Sequence, residues 1–292
     1  MSYFLELLVN GALTGLMYGL VALGIVLIYK SSGVPNLAQG AMVMIAGYLV
    51  WLGISMGLPV WLAVVVGILI MFGFGMAAER LLLRKMVGQP IIMIVMLTLG
   101  LEIFLRGIGP GFLGASPKQI DIGISFAPII IGEVFINRTY LVGGIIALLL
   151  IGASTLFFRT RTGTKLRAVS DDHVSSWSVG ISVERAIGIS WGLAGLSAIA
   201  AGVVWGSVQG VDWTISQLLF PAIAVVILGG LDSVAGVLVG GLLVGILGSV
   251  IPGYLDEIVG GGTRNVVTSL IILLTIMFRP YGMFGREDIE RV

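Results

Sequence analysis

Residues 31–78 carry no charged side chain, a gap bounded by Lys30 and Glu79 and broken only by the small, Gly- and Pro-containing stretch Gly33-Val34-Pro35-Asn36-Leu37-Ala38-Gln39-Gly40. A helix needs roughly 20 predominantly apolar residues to cross a bilayer, so the gap holds two crossings and a connection. The polar notch constrains the fold further. It places Asn36 and Gln39 near or inside the hydrocarbon, where polar groups and irregular backbone persist only against protein or a water-filled cavity.

The rest of the chain has the same character. Hydrophobic residues make up 58% and charged residues 11%, against about 25% charged in an average soluble domain. Apolar runs at 7–28, 37–52, 59–78, 91–104, 140–158, 186–205, 218–231, 234–251 and 266–278 predict an all-α polytopic membrane protein of about nine spans, within a range of eight to ten. The runs flanking Gly229-Gly230-Leu231-Asp232 are short enough to be a re-entrant or broken helix. Glu6 precedes the first run, which has no basic leader and no small-residue cleavage site, so that run reads as a retained span.

Charge gives orientation and exclusions. Basic residues gather at Arg80-Arg84-Lys85, at Arg159-Arg161-Lys165-Arg167 and in the tail from Arg279 to Arg291. The positive-inside rule puts these in the cytoplasm, with the N-terminus outside, the C-terminus inside and the largest outer loop at 107–139. Arg106, Lys118, Arg138 and Arg264 then lie on the outer side against the rule. A net charge of +1 argues against nucleic acid. The chain has no cysteine and one histidine, His173, which leaves no thiolate chemistry and no basis for a metal site.

The 44 glycines are patterned. Gly11, Gly15 and Gly19 are spaced by four, as are Gly188 and Gly192, then Gly202, Gly206 and Gly210, then Gly236 and Gly240, and Gly241 and Gly245. Small residues at that spacing let helix backbones approach closely in lipid, so a densely packed bundle is expected. Glu102 and Arg106, four apart with the acid first, predict a pair on one helix face.

The longest polar stretch, from Phe158 to Gly180, repeats helix start and stop signals. Thr162 or Thr164 can cap a first short helix, Asp171 or Asp172 a second, and Gly180 suits a left-handed stop. A plain connecting loop has no need of such patterning.

These residues carry a family resemblance. Arg159-Thr160-Arg161-Thr162-Gly163, Arg167-Ala168, Asp171-Asp172 and Gly180-Ile181 resemble the cytoplasmic loop of permease subunits of branched-chain amino-acid type ABC importers. Val34 to Gly40 resembles that family's asparagine-phenylalanine-alanine-histidine/glutamine-glycine signature, Glu79-Arg80 with Gly88-Gln89-Pro90 its next inner loop, Gly229-Gly230 with Ser233, Gly236 and Gly240-Gly241 its glycine-rich segment, and Arg279-Pro280-Tyr281-Gly282-Met283-Phe284-Gly285 its ending. The resemblance implies a type II-like importer permease fold as a single domain over 1–292. It implies that the loop 159–185, through Arg159, Arg161, Gly163, Arg167, Ala168, Asp171, Asp172 and Gly180, couples to an ATPase. Asn36, Gln39 and Glu102, polar residues among the spans, are the candidates for a translocation path, with Glu102 the better fit to a structural pair with Arg106. The implied partners are a second related permease subunit, identical or not, two cytoplasmic ATPase subunits and an extracytoplasmic binding protein, and the implied location is a bacterial or archaeal inner membrane.

Leu37 stands where the family has phenylalanine and Ala41 where an acid is common, which points to a solute unlike a simple amino acid. None of the four lysines follows a phosphate-binding GxxxxG pattern, so ATP chemistry, if present, belongs to a partner and no cofactor is expected on this chain. An ion- or proton-coupled secondary transporter is the alternative, and it would need an intramembrane relay for which Glu102 and Asp232 are the main candidates. An intramembrane enzyme would need a catalytic constellation that one histidine and mostly boundary carboxylates do not supply.

Overall fold

The computed structural model describes residues 2–86, 89–114, 116–125 and 127–286. Gly88 and the basic tail beyond Arg286 lie outside the described residues, as does the side chain of His173. Each of the nine apolar runs forms a helix. Six are long and apolar enough to cross a membrane, namely α1 (Ser2–Ser32), α3 (Val60–Leu81), α4 (Ile91–Leu113), α5 (Arg138–Phe157), α8 (Val183–Gln209) and α10 (Val234–Val259). Three are shorter: α2 (Gln39–Ser55), α9 (Leu219–Gly229) with the 3-10 turn Trp213–Leu218 ahead of it, and α11 (Thr263–Phe278). The polar stretch supplies α6 (Arg161–Asp171) and α7 (His173–Ser178).

α1 is apolar around its whole circumference, and a helix of that kind belongs in the middle. It is buried almost continuously from Gly11 to Ile28, packed between α10 on one side and α8 on another, with α5 and α9 completing its shell. α8 is the second central helix, holding α2 and α3 as well as α1. By contrast α3 and α4 each bury one stripe and leave Leu69, Ile92 and Phe104 outward, as expected where lipid or another subunit covers them.

Glycine sets the closest approaches. A methyl carbon added to Gly15 would lie 2.1 Å from the Gly241 carbonyl oxygen, and one on Gly245 would lie 2.3 Å from that of Gly11, so α1 and α10 cross backbone to backbone. Gly202 of α8 meets the Val43 carbonyl and Gly47 of α2 in the same way. Gly210 leaves the expected stripe: it ends α8 at φ +79°, where glycine avoids the Cβ clash of other residues.

The structure departs from the sequence expectation at several ends. α4 continues past the run ending at Phe104, through Pro110 to Leu113, and α10 continues past Ile251 through Pro252 to Val259. The short run near Gly229 is an 11-residue helix led in by the 3-10 turn, and that turn lies against Gly40 with the Ser216 carbonyl beside it. Within the loop at 107–139 an unforeseen hairpin forms, β1 (Ile129–Ile131) antiparallel to β2 (Val134–Ile136), with Gly132 at its tip at φ +65°. Asn10 of α1 fastens it, donating to the Phe135 carbonyl at 2.8 Å and accepting from the Asn137 amide at 3.1 Å.

Candidate functional site

At one end of the bundle the chain leaves α5 and builds α6 and α7. The first cap is Thr160, which accepts from the Gly163 amide at 3.3 Å, not Thr162 or Thr164 as the sequence suggested. The reason is Gly163 itself: an added Cβ would sit 2.4 Å from the Phe157 carbonyl oxygen, so the first turn of α6 is pressed onto the end of α5 and the helix must begin early. Asp172 caps α7 as expected, accepting from Val174 at 2.8 Å and Ser175 at 3.0 Å. Gly180 stops it at φ +81°, and Ser182, which sequence reading passed over, caps α8.

The expected coupling residues divide into two groups. Arg159, Arg161, Asp171 and Asp172 are exposed, while Gly163 is buried and Arg167 and Ala168 are half-buried against the bundle. Arg167 has a buried Nε with no hydrogen-bond partner among the described residues. Asp171 faces Arg286 at 3.8 Å, and Arg286 also faces Asp232 at 3.7 Å. The tail is held there by backbone bonds, Met283 to the Leu228 carbonyl at 2.9 Å and Phe284 to Gly229 at 3.1 Å. Lys30, at the end of α1, donates to the Asp232 carbonyl and lies 5.2 Å over the Phe158 ring. Thus the glycine-rich segment and the chain ending, far apart in sequence, form one surface beside α6.

The polar notch lies just above this end. Asn36 and Gln39 are both fully buried. Asn36 Oδ1 accepts from the Ala38 amide at 3.0 Å, turning the chain into α2, and its amide nitrogen reaches Gln39 at 3.4 Å. Gln39 then crosses to α8, donating to the Ala194 carbonyl at 3.3 Å. Gly24 of α1 makes room for it, since a Cβ there would lie 2.0 Å from the Gln39 amide nitrogen. The two residues expected on one path therefore differ in position. Asn36, though buried, borders an open cavity of about 790 Å³, and Gln39 lies away from it, between α1, α2 and α8.

That cavity lies between the end of α1, the notch, the ends of α3 and α4 and the start of α8, with α7 at its mouth. Ile28, Val34, Ile91, Ile94 and Ile187 contribute apolar wall, and the charged groups in it are Glu79, Arg84 and Glu184. Glu79, only 4% exposed, holds Arg84 by two bonds of 3.3 and 3.2 Å. Glu102 does not reach the cavity: it sits on the buried stripe Thr98, Glu102, Leu105 and Gly109 of α4 and faces Arg106 at 3.6 Å. Sequence reading found the Glu102 pair because i and i+4 share a helix face. It missed the Glu79–Arg84 pair, which forms across the end of α3.

Over residues 7–278 the sequence matches the family described as branched-chain amino acid transport system / permease component. It is similar to the high-affinity branched-chain amino acid transport system permease protein BraD of Pseudomonas aeruginosa, at 27% identity over 99% of this chain and 98% of that one. The permease protein LivH of Escherichia coli K12, from a system of the same description, is also 27% identical, again over 99% of this chain and 98% of its own length. Among solved structures, PsaBC from Streptococcus pneumoniae in complex with Fab aligns over 97% of this chain and 94% of that one, at TM-score 0.46 and 17% identity.

Proposed function

The chain belongs to the family of branched-chain amino acid transport system permease components, and on that premise we propose that its α6–α7 pair is the surface through which separate ATPase subunits drive it. The protein is a pore-forming permease of an ATP-driven importer, a multi-pass protein of the inner membrane. The observation that carries the coupling assignment is α7. On this six-residue helix and the residue after it, Val174, Trp177 and Val179 are 77%, 71% and 74% exposed, outside the apolar spans. A cluster of large apolar side chains held in water by a capped helix marks an interaction surface.

The α6–α7 end is then cytoplasmic, as the basic clusters predict, and the hairpin end faces outward. Two ATPase subunits engage the α6–α7 pairs of this chain and of a second permease subunit, which is a related chain or a second copy. An extracytoplasmic binding protein delivers an amino-acid-like, amphipathic solute at the hairpin end. Motion of α6 reaches the bundle through Gly163, which is pressed onto α5, and through Arg286, which stands between Asp171 and Asp232.

The test is co-purification from the native host. The wild-type chain is expected to bring down an ATPase, and Val179→Asp, at an exposed side chain that does not line the cavity, is expected to lose it while keeping the chain's melting temperature. Gradient-driven solute transport by the purified chain alone would overturn this reading in favour of a secondary transporter.

A further inference from the structure

We propose that the β1–β2 hairpin is an interfacial anchor, lying flat in the phospholipid leaflet at its end of the bundle with Ile130, Ile131 and Phe135 against the lipid. The inference needs only the membrane-spanning helices, and it holds whichever way the chain is oriented.

The residue pattern of the ribbon does not suit water. An antiparallel sheet with one wet face alternates apolar-in and polar-out, whereas both strands here, Ile129–Ile131 and Val134–Ile136, are apolar throughout. Ile130 stands opposite Phe135 across the ribbon, so the two side chains share a face. That face is open: they are 61% and 47% exposed, and Ile131 beside the tip is 63% exposed. Large apolar groups exposed together mark a contact with protein or with membrane.

Depth decides for membrane. On α1, Asn10 and Lys30 stand twenty residues apart, about 30 Å of helix, which matches the thickness of the hydrocarbon core. α5 gives the same measure independently, with 20 residues from Arg138 to Phe157 and Arg159 just beyond. The two helices share both limits. Lys30 lies over the Phe158 ring at one end, and Asn10 bonds the Asn137 amide and the Phe135 carbonyl at the other. The hairpin is therefore pinned where hydrocarbon gives way to headgroups. A two-stranded ribbon keeps open backbone edges, which the hydrocarbon core does not admit, so this boundary is also as deep as it can lie. The neighbouring charges fit that level: Glu133 at the tip and Arg138 after β2 are both exposed. Arg138, one of the cations that the positive-inside rule leaves unexplained, is placed to meet lipid phosphate, the acceptor that a guanidinium suits.

The absence of cysteine makes the test direct. Ile130→Cys, in the assembled transporter in phosphatidylcholine and phosphatidylglycerol nanodiscs, is labelled with a nitrobenzoxadiazole dye. Lipid carrying a nitroxide close to its carbonyl groups is expected to quench the dye several-fold more than lipid carrying it at the chain end, with little quenching by aqueous iodide. Ile131→Cys is the second reporter and carries the same test if Ile130→Cys does not assemble. Strong iodide quenching with none from either lipid puts the hairpin in water and overturns the anchor. Stronger quenching from the chain-end nitroxide puts it in the core and overturns the interfacial placement. Indifference to all three quenchers puts another protein chain on this face, and loss of lipid quenching on adding the extracytoplasmic binding protein makes it a docking surface; either result overturns the anchor as well.

Discussion

Single residues act here through the space they leave and the bonds they complete. Gly15→Val puts side-chain carbon where the Gly241 carbonyl already stands. Overpacking of that kind costs about 1–3 kcal/mol, so the purified chain should melt several degrees lower. Gly73→Ala, which meets nothing within 4 Å, should leave the melting temperature unchanged. Gln39→Leu removes the bonds to Ala194 and Ser197. Interhelical hydrogen bonds in membranes average about 0.6 kcal/mol, so a small loss of stability with unchanged KM for solute is expected. A large rise in KM would mean that the sealed glutamine is reached by solute after all. The notch was legible because Asn36 and Gln39 interrupt an uncharged run. That one faces the cavity and the other closes a three-helix contact was not, since both lie in the same short sequence.

At the scale of elements, α7 and the tail carry the consequences. Asp172→Ala removes the acceptor for the Val174 and Ser175 amides. Loss of an N-cap costs about 1 kcal/mol, and exchange of those two amides should speed up accordingly in a hydrogen-exchange experiment, while α6 is unaffected. Gly282 sits at φ +72°, and a Cβ there would lie 2.6 Å from the Gly230 nitrogen. Gly282→Val is therefore expected to lift the tail off the α9–α10 turn, read as new protease cleavage after Arg279. If cleavage is unchanged, the tail is not held by this contact. Helix ends were the least legible feature. α10 runs through Pro252 and on past Asp256 and Glu257 because a helix leaving the hydrocarbon can continue into the polar region, which an apolar-run criterion does not see.

At the scale of the whole molecule, direction across the membrane is read by labelling from each side. Val179→Cys and Phe112→Cys, at opposite ends of the bundle and both highly exposed, should label from opposite faces of oriented vesicles, with Val179 reacting only from the cytoplasmic side. Labelling of Val179→Cys from outside would invert the topology and remove the ATPase from α7. The apolar faces of α3, α4 and α11 point outward, in keeping with a chain whose tightest packing is at its centre, on α1 and α8.

The sequence by itself determined that the chain crosses a membrane many times as helices, where those helices lie, and which polar stretch between them is built as two short capped ones. Each of these follows from local chemistry: apolar length against bilayer thickness, glycine spacing, and capping residues beside helix starts. Only the tertiary structure decided that α1 is the axis, that Gly229-Gly230 and the chain ending share one surface, and that Glu79, Arg84 and Trp191 meet around a cavity. Those groups come from α3, the turn after it and α8, and what brings them together is the close approach of backbones at glycine contacts, which spacing along one helix can suggest but cannot pair.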